Sequence, residues 1–122
     1  MNKTVLIVED ELHIIESLRF ILQRAGYLVH EVHDGNDAVN SVRAHIPDVI
    51  VLDLMLPNKN GFEILKELKS DLALSNTPVL MLTAKGQQQD RANAEQLKVD
   101  AFITKPFSNQ EVLSCIDHLS KR

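Results

Sequence analysis

The sequence predicts one α/β domain in which five parallel strands alternate with helices. Unbroken aliphatic runs occur at 5–8, 49–52 and 79–82, and such short runs are typical of strands covered on both faces. Segments with apolar residues at helical spacing lie between them. The 122 residues are 44% hydrophobic and 25% charged. This length and composition predict a single domain spanning residues 1–122 and leave no room for two.

Two further strands are weaker in sequence. Residues 27–33 alternate in polarity, with Leu28, His30 and Val32 on one face, which is typical of an edge strand. A shorter apolar run at 101–103 predicts the fifth strand. With the three aliphatic runs, these segments complete a five-stranded sheet.

The first two helices are predicted from apolar spacing and from the residues at their ends. The first covers 14–25, and Gly26 follows it at the position where helices commonly end in a left-handed residue. The second begins at Asp34 and is followed by Pro47. Both helices connect consecutive strands.

Three more helices follow. The third opens at Gly61 and carries apolar positions up to Leu72. The fourth, 87–98, has few apolar residues, so we expect it to be weakly anchored on the core. In the last, Ser108 and Glu111 are spaced as a capping box.

Strict alternation of strands and helices favours a doubly wound sheet with right-handed crossovers. The flavodoxin-like strand order 2-1-3-4-5 fits five such units best. In this architecture ligands bind beyond the carboxyl ends of the strands, near the switch point between the first and third strands.

Composition excludes several classes of protein. The formal net charge of -4 argues against binding of duplex DNA by bulk electrostatics. The single cysteine, Cys115, rules out an internal disulfide framework and fits a reducing compartment. The sequence has neither a secretory leader nor an apolar run long enough to cross a membrane. We therefore expect a cytoplasmic protein that binds neither nucleic acid nor membranes.

Polar residues follow the predicted strands at one edge of the sheet. Glu9 and Asp10 follow the first strand, Asp53 the third, Thr83 the fourth and Lys105 the fifth. Asp and Thr are also common helix caps. Three clustered carboxylates repel one another, however, and oxygen-only ligands of this kind suit Mg²⁺.

Such an edge is suited to phosphoryl transfer, in which catalysis consists mainly of positioning and charge neutralisation. Asp53 is the candidate nucleophile, and its product would be an aspartyl phosphate. Lys105 is a candidate partner for the phosphoryl group. The hydroxyl of Thr83 and the backbone N–H of Ala84 are further candidate donors to its oxygens.

Four motifs lie at the ends of the predicted strands: VLIVEDE (5–11), DLMLPNKNG (53–61), PVLMLTA (78–84) and FITKPF (102–107). Together they resemble the receiver domain of two-component response regulators, the CheY-like superfamily, over essentially the whole chain. The motifs are those of the OmpR/PhoB type. The resemblance implies a (βα)5 fold and a phosphorylation-dependent signalling switch.

The resemblance also implies roles for individual residues. Asp53 would accept a phosphoryl group from a histidine kinase or a histidine phosphotransfer protein. Asp10 and Asp53 would bind Mg²⁺ with the backbone carbonyl of Met55, and Glu9 would contribute through water. Lys105 would hold the phosphoryl group.

Thr83 and Phe102 match the switch pair of the family: the Thr moves toward the phosphoryl group and the aromatic ring turns inward. The Lys105–Pro106 peptide is expected to be cis, which X-Pro bonds tolerate. The surface formed by the fourth helix, the fifth strand and the last helix would then change and bind an output protein of unknown identity.

The sequence departs from the commonest pattern of the family at several positions. Glu9 stands where Asp is more usual, and Lys98-Val99 replaces a small pair. Ala101 and Cys115 occupy positions at which OmpR/PhoB-type regulators carry an acid and an arginine for a symmetric dimer. We therefore expect a monomer or a weak dimer.

Three other functions share part of this pattern. A pseudo-receiver would bind a partner without phosphorylation, although the acceptor residues are intact. A haloacid-dehalogenase-like phosphatase needs a second Asp where this chain has Met55, and an FMN binder needs backbone donors where it has Glu9-Asp10-Glu11. We expect no metabolic enzyme, only catalysis of the domain's own phosphorylation and dephosphorylation. A stand-alone receiver is favoured by the Met1 start over the excised front of a larger regulator.

Overall fold

The structure, a computed structural model, describes residues 2–84, 92–93 and 95–121. Five strands pair in parallel to form one sheet in the order β2-β1-β3-β4-β5. The strands are β1 (Thr4–Val8), β2 (Leu28–Val32), β3 (Val49–Asp53), β4 (Val79–Ala84) and β5 (Ala101–Lys105). The predicted fold class and strand order are confirmed, including the edge position of β2.

Helices cover both faces of the sheet. Those in the described part of the chain are α1 (Leu12–Arg24), α2 (Ala38–His45), α3 (Gly61–Ser70) and the C-terminal helix (Asn109–Leu119). Helix α1 and the C-terminal helix pack on one face, and α2 and α3 pack on the other. Half of the predicted fourth helix, 87–98, lies outside the described residues; in the other half, 92–93 and 95–96 are helical and 97–98 form a turn.

The aliphatic runs form the core on both sides of the three central strands. Strand β3 is buried along its whole length. Burial of such apolar surface contributes about 25 cal/mol per Å², so these strands fix the position of whatever follows them. Their side chains alternate between the two faces: Leu6, Val8, Ile50, Leu52 and Met81 lie toward α2 and α3, and Val5, Ile7, Val49, Val51, Leu80 and Leu82 lie toward α1 and the C-terminal helix.

Two helix ends agree with their sequence signals. Helix α1 ends at Arg24 with Ala25 as its C-cap, and Gly26 follows with φ of 98°, a left-handed conformation that glycine adopts without strain. The C-terminal helix begins at the Ser108 cap, whose side chain accepts a hydrogen bond from the backbone N–H of Glu111 at 3.0 Å. Both predicted boundaries are confirmed.

The start of the second helix differs from its prediction. The Asp34 side chain caps a short 3₁₀ turn, Gly35–Asp37, by accepting a hydrogen bond from Asn36 N. Helix α2 starts after that turn, at Ala38. The cap residue was identified correctly, but it opens the tighter turn that leads into the helix.

The prediction that the third helix extends to Leu72 was wrong. Helix α3 begins at Gly61 as expected, but it ends at Ser70 because Asp71 adopts an extended conformation. The Leu72 side chain is 93% exposed, so its helical spacing does not reflect burial. Among the described residues, no helix combines the length and the apolar character that crossing a membrane requires.

Candidate functional site

The carboxyl ends of β1 and β3 bring three acidic side chains together. Val8 of β1 pairs with Leu52 of β3, so the residues that follow them are neighbours at the sheet edge. Carboxylate oxygens of Glu9, Asp10 and Asp53 lie within 4.8 Å of one another. Glu9 and Asp53 are buried, whereas Asp10 is exposed to solvent. The cluster therefore has a buried floor and one open acidic side.

Lys105 enters this cluster from the other half of the sheet. It ends β5 and pairs with Ala84 of β4. Its Nζ donates hydrogen bonds of 3.2 Å to Glu9 Oε1 and of 3.2 Å to Asp53 Oδ1. Fold topology thus places an ammonium group against two carboxylates from strands distant in sequence.

The Glu9 carboxylate is held in place by hydrogen bonds, and its burial next to Asp53 makes its negative charge unfavourable. Its second oxygen, Oε2, accepts backbone hydrogen bonds from Asp10 N at 3.0 Å and Glu11 N at 3.3 Å. Burial raises the pKa of Glu9 to about 7, and the neighbouring Asp53 adds to this effect while Lys105 opposes it. A divalent cation would relieve this repulsion, so the three carboxylates fit Mg²⁺.

Lys105 stays charged in spite of its surroundings. Burial lowers the pKa of its ammonium group, but the charges of Asp53 and Glu9 outweigh burial, and the net pKa is raised above its ordinary value. The site therefore has a permanent cation for an anionic group that arrives on Asp53.

Thr83 lies in β4, the strand next to Asp53. Its side chain is 1% exposed, and its Oγ1 has no hydrogen-bond partner in the described part of the chain. An unsatisfied buried hydroxyl is costly, which makes it a donor that an additional acceptor would satisfy. The backbone of Ala84, which ends β4, follows directly.

Three other predicted residues lie in the segments around the cluster or in the neighbouring strand. Met55 donates its backbone N–H to Asp53 Oδ1 at 3.3 Å, and its side chain is 68% exposed. Phe102 of β5 is half-buried and packs against the core on the side of α2 and α3. The peptide between Lys105 and Pro106 is cis. Met55 and Pro106 therefore follow their strands at the edge of the acidic cluster, whereas Phe102 lies near the start of β5, three residues before Lys105.

Sequence reasoning missed two asparagines in the loop between β3 and α3. Asn60 caps α3 by accepting a hydrogen bond from Glu63 N at 3.0 Å, and Asn58 has φ of 69°. The first has a sequence signal, an Asn followed three residues later by Glu. The second has a weaker one, since Asn is enriched in left-handed turn positions.

A groove opens beside the acidic cluster, between the start of α1 and the segment after β5. Its volume is about 510 Å³. Glu11 and Ile14 line one wall, and Lys105 and Phe107 line the other. This groove gives access to the ammonium end of the site from outside.

A family model and the sequences of curated proteins match this chain, and both point to the same family. Residues 5–117 match the Response regulator receiver domain family. The Phosphate regulon transcriptional regulatory protein PhoB of Escherichia coli (strain K12) is 38% identical over 122 residues, which are 100% of this chain and 53% of that protein. The chain spans about half the length of the curated relatives it matches.

Solved structures agree with the sequence match. The receiver domain of sensor histidine kinase PA1611 from Pseudomonas aeruginosa PAO1, with a magnesium ion coordinated in the active site cleft, has a TM-score of 0.90 at 28% identity, and 100% of both chains is covered. The phosphorylated cyanobacterial phytochrome response regulator RcpA has a TM-score of 0.84 at 30% identity, covering 99% of this chain and 93% of that one. This chain therefore belongs to the response regulator receiver domain family, the signalling modules of two-component systems.

Proposed function

We propose that this domain is a phosphorylation-dependent switch in which Asp53 accepts a phosphoryl group from a histidine kinase or a histidine phosphotransfer protein. The observation that carries the proposal is the contact of Lys105 Nζ with Asp53 Oδ1, at an edge shared with Glu9 and Asp10. A buried carboxylate with a fixed ammonium group beside it is suited to receive a doubly charged phosphoryl group.

Mg²⁺ is the cofactor that fits the donor set. Asp10, Asp53 and the backbone carbonyl of Met55 would hold it, and Glu9 would contribute through water. The formal charges of three carboxylates, one ammonium group and one divalent cation cancel. When bound, the ion neutralises charge that develops on the phosphoryl oxygens.

In the transfer step, an oxygen of the Asp53 carboxylate attacks the phosphorus of a phosphohistidine. A P–O bond forms as the P–N bond breaks, and the imidazole leaves with the electron pair and takes up a proton from solvent. Lys105 pairs with the phosphoryl oxygens through an ammonium group that its anionic neighbours keep protonated. The domain would catalyse only its own phosphorylation and dephosphorylation.

The phosphoryl donor must approach over the exposed side of the cluster. Asp10 is exposed there, and the groove lined by Ile14, Lys105 and Phe107 opens next to it. This geometry supports approach of the donor histidine from the side of α1.

The hydrogen-bond donors around the phosphoryl group would bind its oxygens and so respond to phosphorylation. Its oxygens give an acceptor to the Thr83 hydroxyl, which has no partner among the described residues, and the backbone N–H of Ala84 would supply a second bond. A shift of Thr83 would leave space for the Phe102 ring to turn inward. These two movements would favour one of two conformations of the surface around β5. The predicted fourth helix, β5 and the C-terminal helix would form the face that binds an output protein, in the cytoplasm and without direct contact to nucleic acid or membrane.

The test is intact-mass analysis after incubation with acetyl phosphate, with and without Mg²⁺. We expect one added phosphoryl group that requires Mg²⁺ and is absent in Asp53→Asn. Asp37→Asn, which changes an exposed carboxylate of the 3₁₀ turn, is the matched control and should be labelled like the wild type. Absence of any adduct in folded wild-type protein would overturn the proposal and favour a pseudo-receiver that only binds a partner.

A further inference from the structure

We propose that Asp34 and Asn58 are a positioning pair for the cation site. By joining the turn after β2 to the loop 54–60, they fix the direction of the Met55 backbone carbonyl. The inference rests on the proposed function, because it assigns a role toward the Mg²⁺ that Met55 would help to hold. Among the described residues, the side-chain hydrogen bonds of Asp34 and Asn58 join them to each other and to the turn after β2, and not to the acidic cluster.

The contact between the two loops is a hydrogen bond in which each carboxylate oxygen of Asp34 has its own donor. Asn58 Nδ2 donates a hydrogen bond of 2.6 Å to Asp34 Oδ2. The other carboxylate oxygen, Oδ1, accepts the backbone N–H of Asn36 at 2.8 Å. Asp34 is thus anchored in its own turn by one oxygen and holds the neighbouring loop with the other. A hydrogen bond to a charged acceptor is also stronger than a neutral one.

Backbone packing reinforces this contact. Gly35 is buried, and its N–H points to the carbonyl oxygen of Pro57 at 3.4 Å. A Cβ at this position would lie 2.8 Å from the Cβ of Lys59 and well inside van der Waals contact with the Lys59 carbonyl oxygen. Only glycine leaves space for the loop to lie this close to the turn.

The loop also closes on itself. Gly61 N donates to Leu54 O at 2.9 Å, and Met55 N donates to Asp53 Oδ1 at 3.3 Å. Asn58 lies between these two closures, in a left-handed conformation with φ of 69°. The hydrogen bond from Asn58 to Asp34 therefore restricts the middle of a loop whose two ends are already fixed.

A backbone carbonyl is sensitive to such bracing because no side-chain torsion can correct its direction. The end of β2 is itself tied to the cluster through the hydrogen bond from Glu9 N to Val32 O at 3.0 Å. The turn that Asp34 begins is therefore in a fixed position relative to Glu9. Because Asn58 bonds to Asp34, the loop that carries Met55 is also held in place relative to Glu9.

The test measures Mg²⁺ binding directly, by isothermal titration calorimetry, for wild type and Asn58→Gly. Glycine keeps the left-handed backbone accessible and removes only the amide side chain. Outer-sphere groups of metal sites typically contribute 10- to 100-fold to affinity, so we expect Asn58→Gly to weaken Mg²⁺ binding by about tenfold. Asn76→Gly, an exposed loop asparagine on the turn after α3, is the matched control.

A swapped pair provides the rescue. In Asp34→Asn combined with Asn58→Asp, the amide at position 34 can donate to the carboxylate at position 58 while its oxygen still accepts Asn36 N. Net charge is unchanged, so we expect Mg²⁺ affinity to return to within about twofold of wild type. Thermal unfolding of each variant without metal separates this effect from a loss of stability.

The outcomes distinguish this inference from the proposed function. Wild type that binds Mg²⁺ and takes up phosphoryl groups, with Asn58→Gly binding Mg²⁺ equally well, would overturn the positioning role alone. An equal weakening in Asn76→Gly, or a swapped pair no better than Asn58→Gly, would do the same. Wild type that binds no Mg²⁺ and accepts no phosphoryl group would instead overturn the proposed function.

Discussion

The hydroxyl of Tyr27 donates a hydrogen bond to the carboxylate of Asp117, ninety residues further along the chain. A second contact, 3.2 Å long, joins the same hydroxyl to Ser120 Oγ. Tyr27 lies just before β2, and Asp117 lies in the C-terminal helix. The pair therefore fixes the last helix against the amino-terminal end of the sheet, opposite the acidic cluster.

This pair predicts an alkaline titration. Burial, with the Asp117 carboxylate, raises the pKa of Tyr27 above its ordinary value of 10.0. Because the folded pKa is the higher one, the stabilisation is fully present below the unfolded pKa and is lost as pH rises through the folded pKa. The chain has one Tyr and no Trp, so tyrosinate absorbance reports this residue alone.

We expect a titration midpoint above that of the urea-unfolded protein, and a lower midpoint in Asp117→Asn, which removes the negative charge. Asp37→Asn, distant from Tyr27 in the fold, should titrate like wild type. A wild-type midpoint equal to the unfolded one would show that the contact does not persist in solution.

Lys105 predicts a dependence of stability on Mg²⁺. In Lys105→Met, Glu9 and Asp53 lose the ammonium group between them, and removal of one partner from a largely buried ion pair costs about 3 kcal/mol. We expect this loss in urea unfolding with a chelator present, and partial recovery in Mg²⁺. Lys66→Met, on the exposed side of α3, should change little. Equal effects of the two substitutions would contradict the prediction.

Thr83 predicts a stabilising substitution. Thr83→Val keeps the shape of the side chain and removes a buried hydroxyl without a partner in the described residues, so the free energy of unfolding should rise by about 1 kcal/mol. Urea unfolding of the unphosphorylated protein measures it. Thr104→Val, at the exposed position paired with Thr83, is the control. A loss of stability in Thr83→Val would mean that the hydroxyl is already bonded.

Met55 predicts a long-lived aspartyl phosphate. Its exposed thioether cannot orient an attacking water by a strong hydrogen bond, whereas an amide can. We expect Met55→Asn to shorten the lifetime of the label by a factor on the order of ten, as orientation of a nucleophile does. Met55→Leu should leave the lifetime unchanged. Rapid decay in the wild type that is unaltered by Met55→Asn would contradict this account.

The positions of the central strands were predictable because a strand buried on both faces consists of consecutive apolar residues. The runs at 49–52 and 79–82 lie inside β3 and β4, which extend only one or two residues further. Helix ends were predictable where a specific residue closes them, as Gly26 and Ser108 do. Leu72 misled the prediction because periodicity alone cannot distinguish an apolar residue on the core from one in a surface turn.

The acidic cluster was predictable for a topological reason. Parallel strands present their carboxyl ends at one edge, so Glu9, Asp53 and Lys105 had to meet once the strand order was known. The contact between Asp34 and Asn58 was not predictable in this way. Its two residues lie in loops, and no periodicity in the sequence specifies the distance between two loops.

The amino-terminal and carboxy-terminal segments of the described chain are neighbours in space. Lys3 Nζ donates a hydrogen bond to the carbonyl oxygen of Ser120, across nearly the whole sequence. A short flexible linker could therefore join the two segments, and the chain could be reopened at the exposed turn near Leu72 without cutting the sheet. Such a circular permutant would have its new ends between α3 and β4, at the edge of the sheet opposite the acidic cluster, where an attached fluorophore would not block the acidic site.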